Sequence, residues 1–93
     1  MTVYCQYAFQ LQPDMQVERI LTQFAIEHFD GRQAVKIDEY QYGVDNGMND
    51  LRAVIKEERQ LITFCCRYAK DVARTESMVL AFAKAHDLVV ITI

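Results

Sequence analysis

The hydrophobic period along the chain changes several times, and each change marks an element. Residues 2–11 alternate, with Val3, Cys5, Tyr7, Phe9 and Leu11 on one parity and Thr2, Tyr4, Gln6, Ala8 and Gln10 on the other. A two-residue period predicts a strand with one buried face. Gln12-Pro13-Asp14 follows, joining a proline suited to a first helical turn with an acid that favours the positive helix end. A helix is therefore expected from this point. Val17, Ile20, Leu21, Phe24, Ala25 and His28 form its apolar stripe, Glu18, Arg19, Gln23 and Glu27 take the other side, and Asp30-Gly31 supplies the stop.

From Ala34 to Tyr42, Val35 and Ile37 share one parity while Lys36, Asp38, Tyr40 and Tyr42 share the other. A strand that changes its buried face or bulges near Glu39 is expected. The 43–47 stretch, Gly-Val-Asp-Asn-Gly, is turn chemistry. Residues 49–58 read two ways. Asn49 can cap a short helix with Leu51, Val54 and Ile55 as its stripe, yet Leu51, Ala53 and Ile55 equally suit a strand. The helix formers Lys56 to Gln60 favour the helix. Residues 61–68 are β-branched and aromatic, which predicts a strand with Ile62, Phe64, Cys66 and Tyr68 on its more apolar parity. Asp71 can cap a second helix whose stripe is Val72, Thr75, Val79, Phe82, Ala83 and His86, and Leu88 to Ile93 forms a final strand.

The resulting order, β-α-β-(short α)-β-α-β over a single domain 1–93, resembles the split βαβ pattern of the ferredoxin-like fold. That resemblance implies an α+β sandwich, βαββαβ, with a four-stranded, mainly antiparallel sheet and two helices on one face. Of the 93 residues only four are Gly or Pro, so regular elements and short turns should account for most of the chain. For 10.8 kDa, area scaling gives roughly 5,500 Å² of exposed surface on folding, enough burial to stand without staples.

The net charge of −3 leaves no basic surplus for a phosphate backbone, so nucleic acid is not an expected partner. No stretch approaches the roughly 18 apolar residues of a membrane span, and the first ten residues lack a basic start, so no membrane association and a cytoplasmic location are expected. Three cysteines, two of them adjacent at Cys65 and Cys66, make a poor disulfide framework and suit a reducing compartment. Adjacent strand residues point to opposite faces, so these two cannot bind one ion together. Cys65, on the open face, is the more reactive candidate. No metal site or cofactor is expected.

The strands at 2–11 and 61–68 are expected side by side and parallel, which would bring Gln10 and Gln12 near Arg67, Lys70 and Arg74 at the start of the second helix. Free N–H groups, the helix dipole and those cations together make a candidate anion site. His28 and His86 each close a helix, where an imidazolium meets the negative end. The uncovered sheet face would carry Tyr4, Gln6, Ala8, Gln10, Tyr40, Tyr42, Leu61, Thr63, Cys65 and Arg67. Among these, Tyr4, Tyr40, Tyr42, Leu61 and Cys65 are the candidate contacts for a protein partner, because Tyr supplies large area at low entropy cost. The acidic stretch around 38–58 would steer a basic partner.

The strongest feature is Leu88-Val-Val-Ile-Thr-Ile93, which is uncharged, aliphatic and free of Pro and Gly. As an edge strand it is an aggregation template unless covered, so Val89, Ile91 and Ile93 are expected at a contact with a second copy. The leading expectation is a small, non-catalytic regulatory or inhibitory protein that binds protein as a homodimer. One alternative is a module sensing a small anion at the second helix. Another is a dimeric barrel enzyme of the same fold that uses Tyr7, His28 or His86; no nucleophile, base and orienter set is assembled by the sequence.

Overall fold

The computed structural model describes residues 2–29, 34–44 and 50–93. Its elements run β1 (Val3–Gln10), α1 (Val17–His28), β2 (Val35–Asp38), β3 (Gln41–Gly43), β4 (Leu51–Lys56), β5 (Leu61–Cys66), a 3-10 turn (Ala69–Asp71), α2 (Val72–His86) and β6 (Val89–Thr92). Two helices and one six-stranded sheet make a mixed α+β fold, with strand order β2-β3-β4-β5-β1-β6. Every neighbouring pair is antiparallel. The four-stranded ferredoxin-like sheet is thus corrected to six strands.

Two local events account for the extra strands. The run 34–42 does not bulge through Glu39 but folds back on itself. The Asp38 carboxylate accepts the Tyr40 N–H at 2.8 Å and closes a hairpin turn without Gly or Pro. Residues 51–56 are a strand, not the helix expected at 49–58. Leu51, Ala53 and Ile55 are buried and alternate with Arg52, Val54 and Lys56 along the ladder to β5. The helix formers behind that expectation make the next turn, where Glu57, Glu58 and Arg59 all hold positive φ, at 51°, 55° and 71°. The expected helix cap Asn49 and the turn at 45–47 lie outside the described residues, as does the Asp30-Gly31 stop.

Pro13 and Asp14 sit in a turn closed by Met15 N–H to the Gln12 carbonyl at 3.0 Å, so α1 starts at Val17 instead of at the proline. Asp71 precedes α2 without capping it, its carboxylate instead taking Arg74 Nη2 at 3.2 Å. At its other end α2 closes through left-handed Asp87, with Leu88 N–H on the Ala83 carbonyl at 2.9 Å.

Both helices lie on one face of the sheet. Their stripes, Val17, Leu21, Phe24 and Ala25 from α1 and Val79, Phe82 and Ala83 from α2, share one buried cluster with Cys5, Phe9, Ile62, Phe64 and Cys66. Its centre is aromatic: Phe9 lies 5.3 Å from Phe64 and 5.7 Å from Phe82, and Phe24 lies 5.3 Å from each of the same two rings. β1 holds two more residues than β5 between the pairs Tyr4↔Cys65 and Ala8↔Thr63, which is a bulge. Gln6 N–H, at the bulge, donates to the Glu76 carboxylate of α2 at 2.7 Å. Among the described residues no helix is long and apolar enough to cross a membrane.

Candidate functional site

The antiparallel register decides which residues meet. Gln10 stands opposite Leu61, whereas Cys66 stands opposite Val3, so Arg67, six residues beyond Leu61, lies about 20 Å from Gln10 at a strand rise of 3.3 Å, with the start of α2 beyond it. The expected parallel neighbours, and with them the five-residue anion set, are corrected on this ground. Gln10 Nε2 instead donates to the Gln60 carbonyl at 3.1 Å, and Gln12 lies exposed at that same end. At the other end Arg67 lies 3.8 Å from Asp50 and Arg74 3.2 Å from Asp71. Lys70 and Arg67 both sit over the ring of Tyr68, at 5.5 and 5.4 Å. The cations are thus engaged with local partners and do not converge on a vacant position.

The partner-binding set divides. Tyr4 and Cys65 are register partners, and Leu61 lies on the same face of β5, so three of the five stand together on the side away from the helices. Tyr42 does not join them. It is buried on the helix side, where its hydroxyl donates to Glu18 Oε1 at 2.7 Å and Arg59 reaches the same carboxylate. The Tyr42 bond, reinforced by Arg59, holds the Glu18 carboxyl below its ordinary value, while burial and the adjacent carboxylate push the Tyr42 phenol up. Tyr40 projects from the β2–β3 turn at the far end of the strand order.

The middle of the open face is already screened. Leu61, Thr63, Cys65 and Ala8 are buried, and the Thr63 hydroxyl donates to the Val54 carbonyl at 3.2 Å. Arg52 Nη1 donates to Gln41 Oε1 at 3.3 Å across β3 and β4. Burial raises the Cys65 thiol above its ordinary value, which removes the reactivity expected of it. Exposed apolar side chains on this side lie at its two margins, Val35 on β2 and a larger group by β6. Tyr4 is 63% exposed, Val89 54% and Ile93 64%. The register sets these in a strip, with Val89 beside Gln10, Ile91 beside Ala8, and Ile93 N–H on the Gln6 carbonyl at 2.7 Å.

That last bond also fixes the edge. In an antiparallel ladder inward and outward residues alternate, so Ile93, Ile91 and Val89 turn their backbone groups toward β1, while Val90 and Thr92 turn theirs outward. Val90 packs its side chain against the core on the helix face. Among the described residues no other strand flanks β6 on that side.

A second feature is a groove of about 480 Å³ between the start of α1 and the end of α2, lined by Met15, Arg19, Ile20, Phe82, His86 and Leu88 among others. His86 Nε2 lies 2.7 Å from Glu27, whose same carboxylate oxygen accepts Gln23 Nε2 at 2.8 Å. The imidazole stacks on Phe82 at 4.2 Å, and His28 lies 6.4 Å from that ring, edge-on to it. Both histidines border the Phe82 ring, and among the described residues no group of three or more His, Cys, Asp or Glu could hold a metal ion. The space between sheet and helices, where a barrel enzyme would keep its pocket, is filled by the four phenylalanines, and Tyr7 is half-buried beside them.

No known protein family, curated protein or solved structure matches this chain.

Sequence reasoning missed the Tyr42–Glu18–Arg59 link and the Gln23–Glu27–His86 chain. Gln23 and Glu27 stand four apart on one helix, which was a legible signal. The partners supplied by distant segments, Tyr42, Arg59 and His86, carried none.

Proposed function

We propose that this is a small non-catalytic protein-binding domain that associates with a second copy of itself through the β6 side of the sheet. The observation that supports this reading is the coincidence, at one margin, of exposed Tyr4, Val89 and Ile93 with an uncharged edge strand. Burying such apolar area drives association at about 25 cal/mol per Å² before the costs of ordering are counted. Regulation or inhibition of another protein through the same domain fits the small size and the exposed Tyr4 and Tyr40. Light scattering at 10 µM to 1 mM tests the association. The expected mass is twice 10.8 kDa, and a strict monomer over the whole range overturns the reading.

The helix groove favours a second reading, a site for a small ligand with an apolar body and a carboxylate. Ile20, Phe82 and Leu88 offer the apolar wall and Arg19 the cation; of the other charged neighbours, Asp14 lines the groove and Glu27 already holds His86. Thermal melting with 3-phenylpropionate tests it. Saturation to 100 times the dissociation constant adds about 2.7 kcal/mol, and an unmoved melting curve at 10 mM overturns it.

A further inference from the structure

Association through the β6 side can take two forms, side-chain packing of the faces or backbone pairing of the edges. Resting on the association proposed above, we propose the second: two chains join β6 to β6 about a two-fold axis through Ile91, making one continuous twelve-stranded sheet.

The two edges of the sheet are built differently. β2 carries Lys36 and Asp38, and its pairing with β3 shifts register between them. Charged side chains and a bulge are the devices by which a sheet edge resists pairing. β6 has neither. Its residues are Val89, Val90, Ile91 and Thr92, and its ladder to β1 runs without a shift. One edge of this molecule is blunted and the other is left able to pair.

The occupant follows from the geometry of the bare edge. An antiparallel pairing of identical strands is self-complementary, so a two-fold axis needs no second kind of surface. The outward N–H and C=O groups belong to Val90 and Thr92. Setting Val90 against the partner's Thr92, and Thr92 against the partner's Val90, satisfies both residues with four hydrogen bonds. This register places Ile91 opposite its own copy in a close, non-hydrogen-bonded pair. It also sets Val89 against the partner's Ile93, matching the two most exposed aliphatic side chains of the margin across the seam. No charged residue occurs from Leu88 to Ile93, so no like charges are opposed. A register that sets Thr92 against its own copy leaves Val90 unbonded and Val89 without a neighbour, and one that sets Val90 against its own copy sets Thr92 against Leu88, whose N–H the Ala83 carbonyl already holds, and leaves Ile93 facing Asp87.

Thr92→Pro is the decisive variant. The Thr92 N–H points away from β1, so proline removes a donor that the subunit's own ladder does not use, and edge strands tolerate proline at such positions. Thr92→Val, which keeps the N–H, is its control. Light scattering should give twice 10.8 kDa for the wild type and for Thr92→Val, and 10.8 kDa for Thr92→Pro with unchanged circular dichroism. If Thr92→Pro remains dimeric, the edge seam is overturned while self-association stands. If the wild type is itself monomeric, both fall. Hydrogen exchange on the wild type gives an answer even where the proline variant fails to fold. The Val90 and Thr92 amides should exchange more slowly as concentration rises through dimerisation, and concentration-independent exchange in a proven dimer overturns the seam.

Discussion

Replacing Phe24 by alanine tests whether α1 is anchored to the sheet as described. Phe24 is fully buried, and its ring meets Phe9 at 6.3 Å, Phe64 at 5.3 Å and Phe82 at 5.3 Å, so it touches β1, β5 and α2 at once. Truncation of a buried phenylalanine costs about 3–5 kcal/mol, as lost transfer energy plus the cavity left behind. Of these three rings, Phe9 and Phe82 meet it edge-on at 73° and 76°, which places this site toward the upper end, because each such pair adds about 0.5–1.5 kcal/mol beyond area. A chain of 93 residues has about 5–14 kcal/mol of stability in total. The variant should therefore lose a third or more of it, with a melting temperature lower by at least about 12 °C. Ile26→Ala, on the outer face of the same helix, should change stability by less than about 1 kcal/mol. Urea denaturation followed at 222 nm, with a common m-value, measures both. A Phe24→Ala loss under about 1.5 kcal/mol, or equal losses for the two variants, would refute the claim that this ring pins α1 to the sheet.

Three further outcomes follow from the contacts described. Tyr42→Phe removes the hydroxyl that donates to Glu18; since Glu18 is about half exposed, the loss should stay below about 1 kcal/mol. Glu18's carboxyl is held below its ordinary value of 4.5 in the fold, chiefly by Tyr42, so its stabilisation is complete above that value and lost as pH falls. Urea midpoints between pH 3 and 7 should accordingly fall less steeply in Tyr42→Phe, and parallel profiles would count against the link. Burial and the neighbouring Cys66 push the Cys5 thiol up to about 12, so a chromogenic disulfide reagent at pH 8 should react with it on the order of 1,000-fold more slowly than with an unfolded thiol. The same shift gives stabilisation that is complete below 9.0 and lost as pH rises toward 12, readable in alkaline denaturation, and rapid native labelling of Cys5 would contradict both. Glu58→Gly relieves a left-handed backbone that glycine adopts freely, and should leave urea stability unchanged or raise it by up to about 1 kcal/mol; a clear loss would show that the φ of 55° carries no strain.

The elements with one steady period were readable in advance. The parity of 2–11 gave Cys5, Phe9 and Leu11 their place in the core, and the stripe at 75, 79, 82 and 83 is the buried face of α2. Failure came where local propensity and tertiary pairing disagreed. Lys56 to Gln60 are good helix formers, yet β5 offered Leu51, Ala53 and Ile55 a ladder and the helix formers became a turn of positive φ that no glycine announced. Tyr42 followed the same logic, since its side of the sheet depends on a reversal at Glu39-Tyr40 whose only signal is the Asp38 carboxylate. Strand direction left no trace in composition, so the supposed meeting of Gln10 with Arg67 had nothing to correct it until the register of β1 and β5 was known.

The sheet is wider than its cover. Six strands spaced about 4.8 Å apart extend roughly 24 Å from first to last, while two helices side by side shelter about 20 Å. The shortfall falls on β2, all four of whose residues are exposed. Rigidity should therefore grade across the molecule, from the amides of β5 and β1, released only by global unfolding, to those of β2, which can peel away with the rest of the domain intact. A partner needing a pliant attachment would find it at the β2 end, far from the end that asks for a firm one.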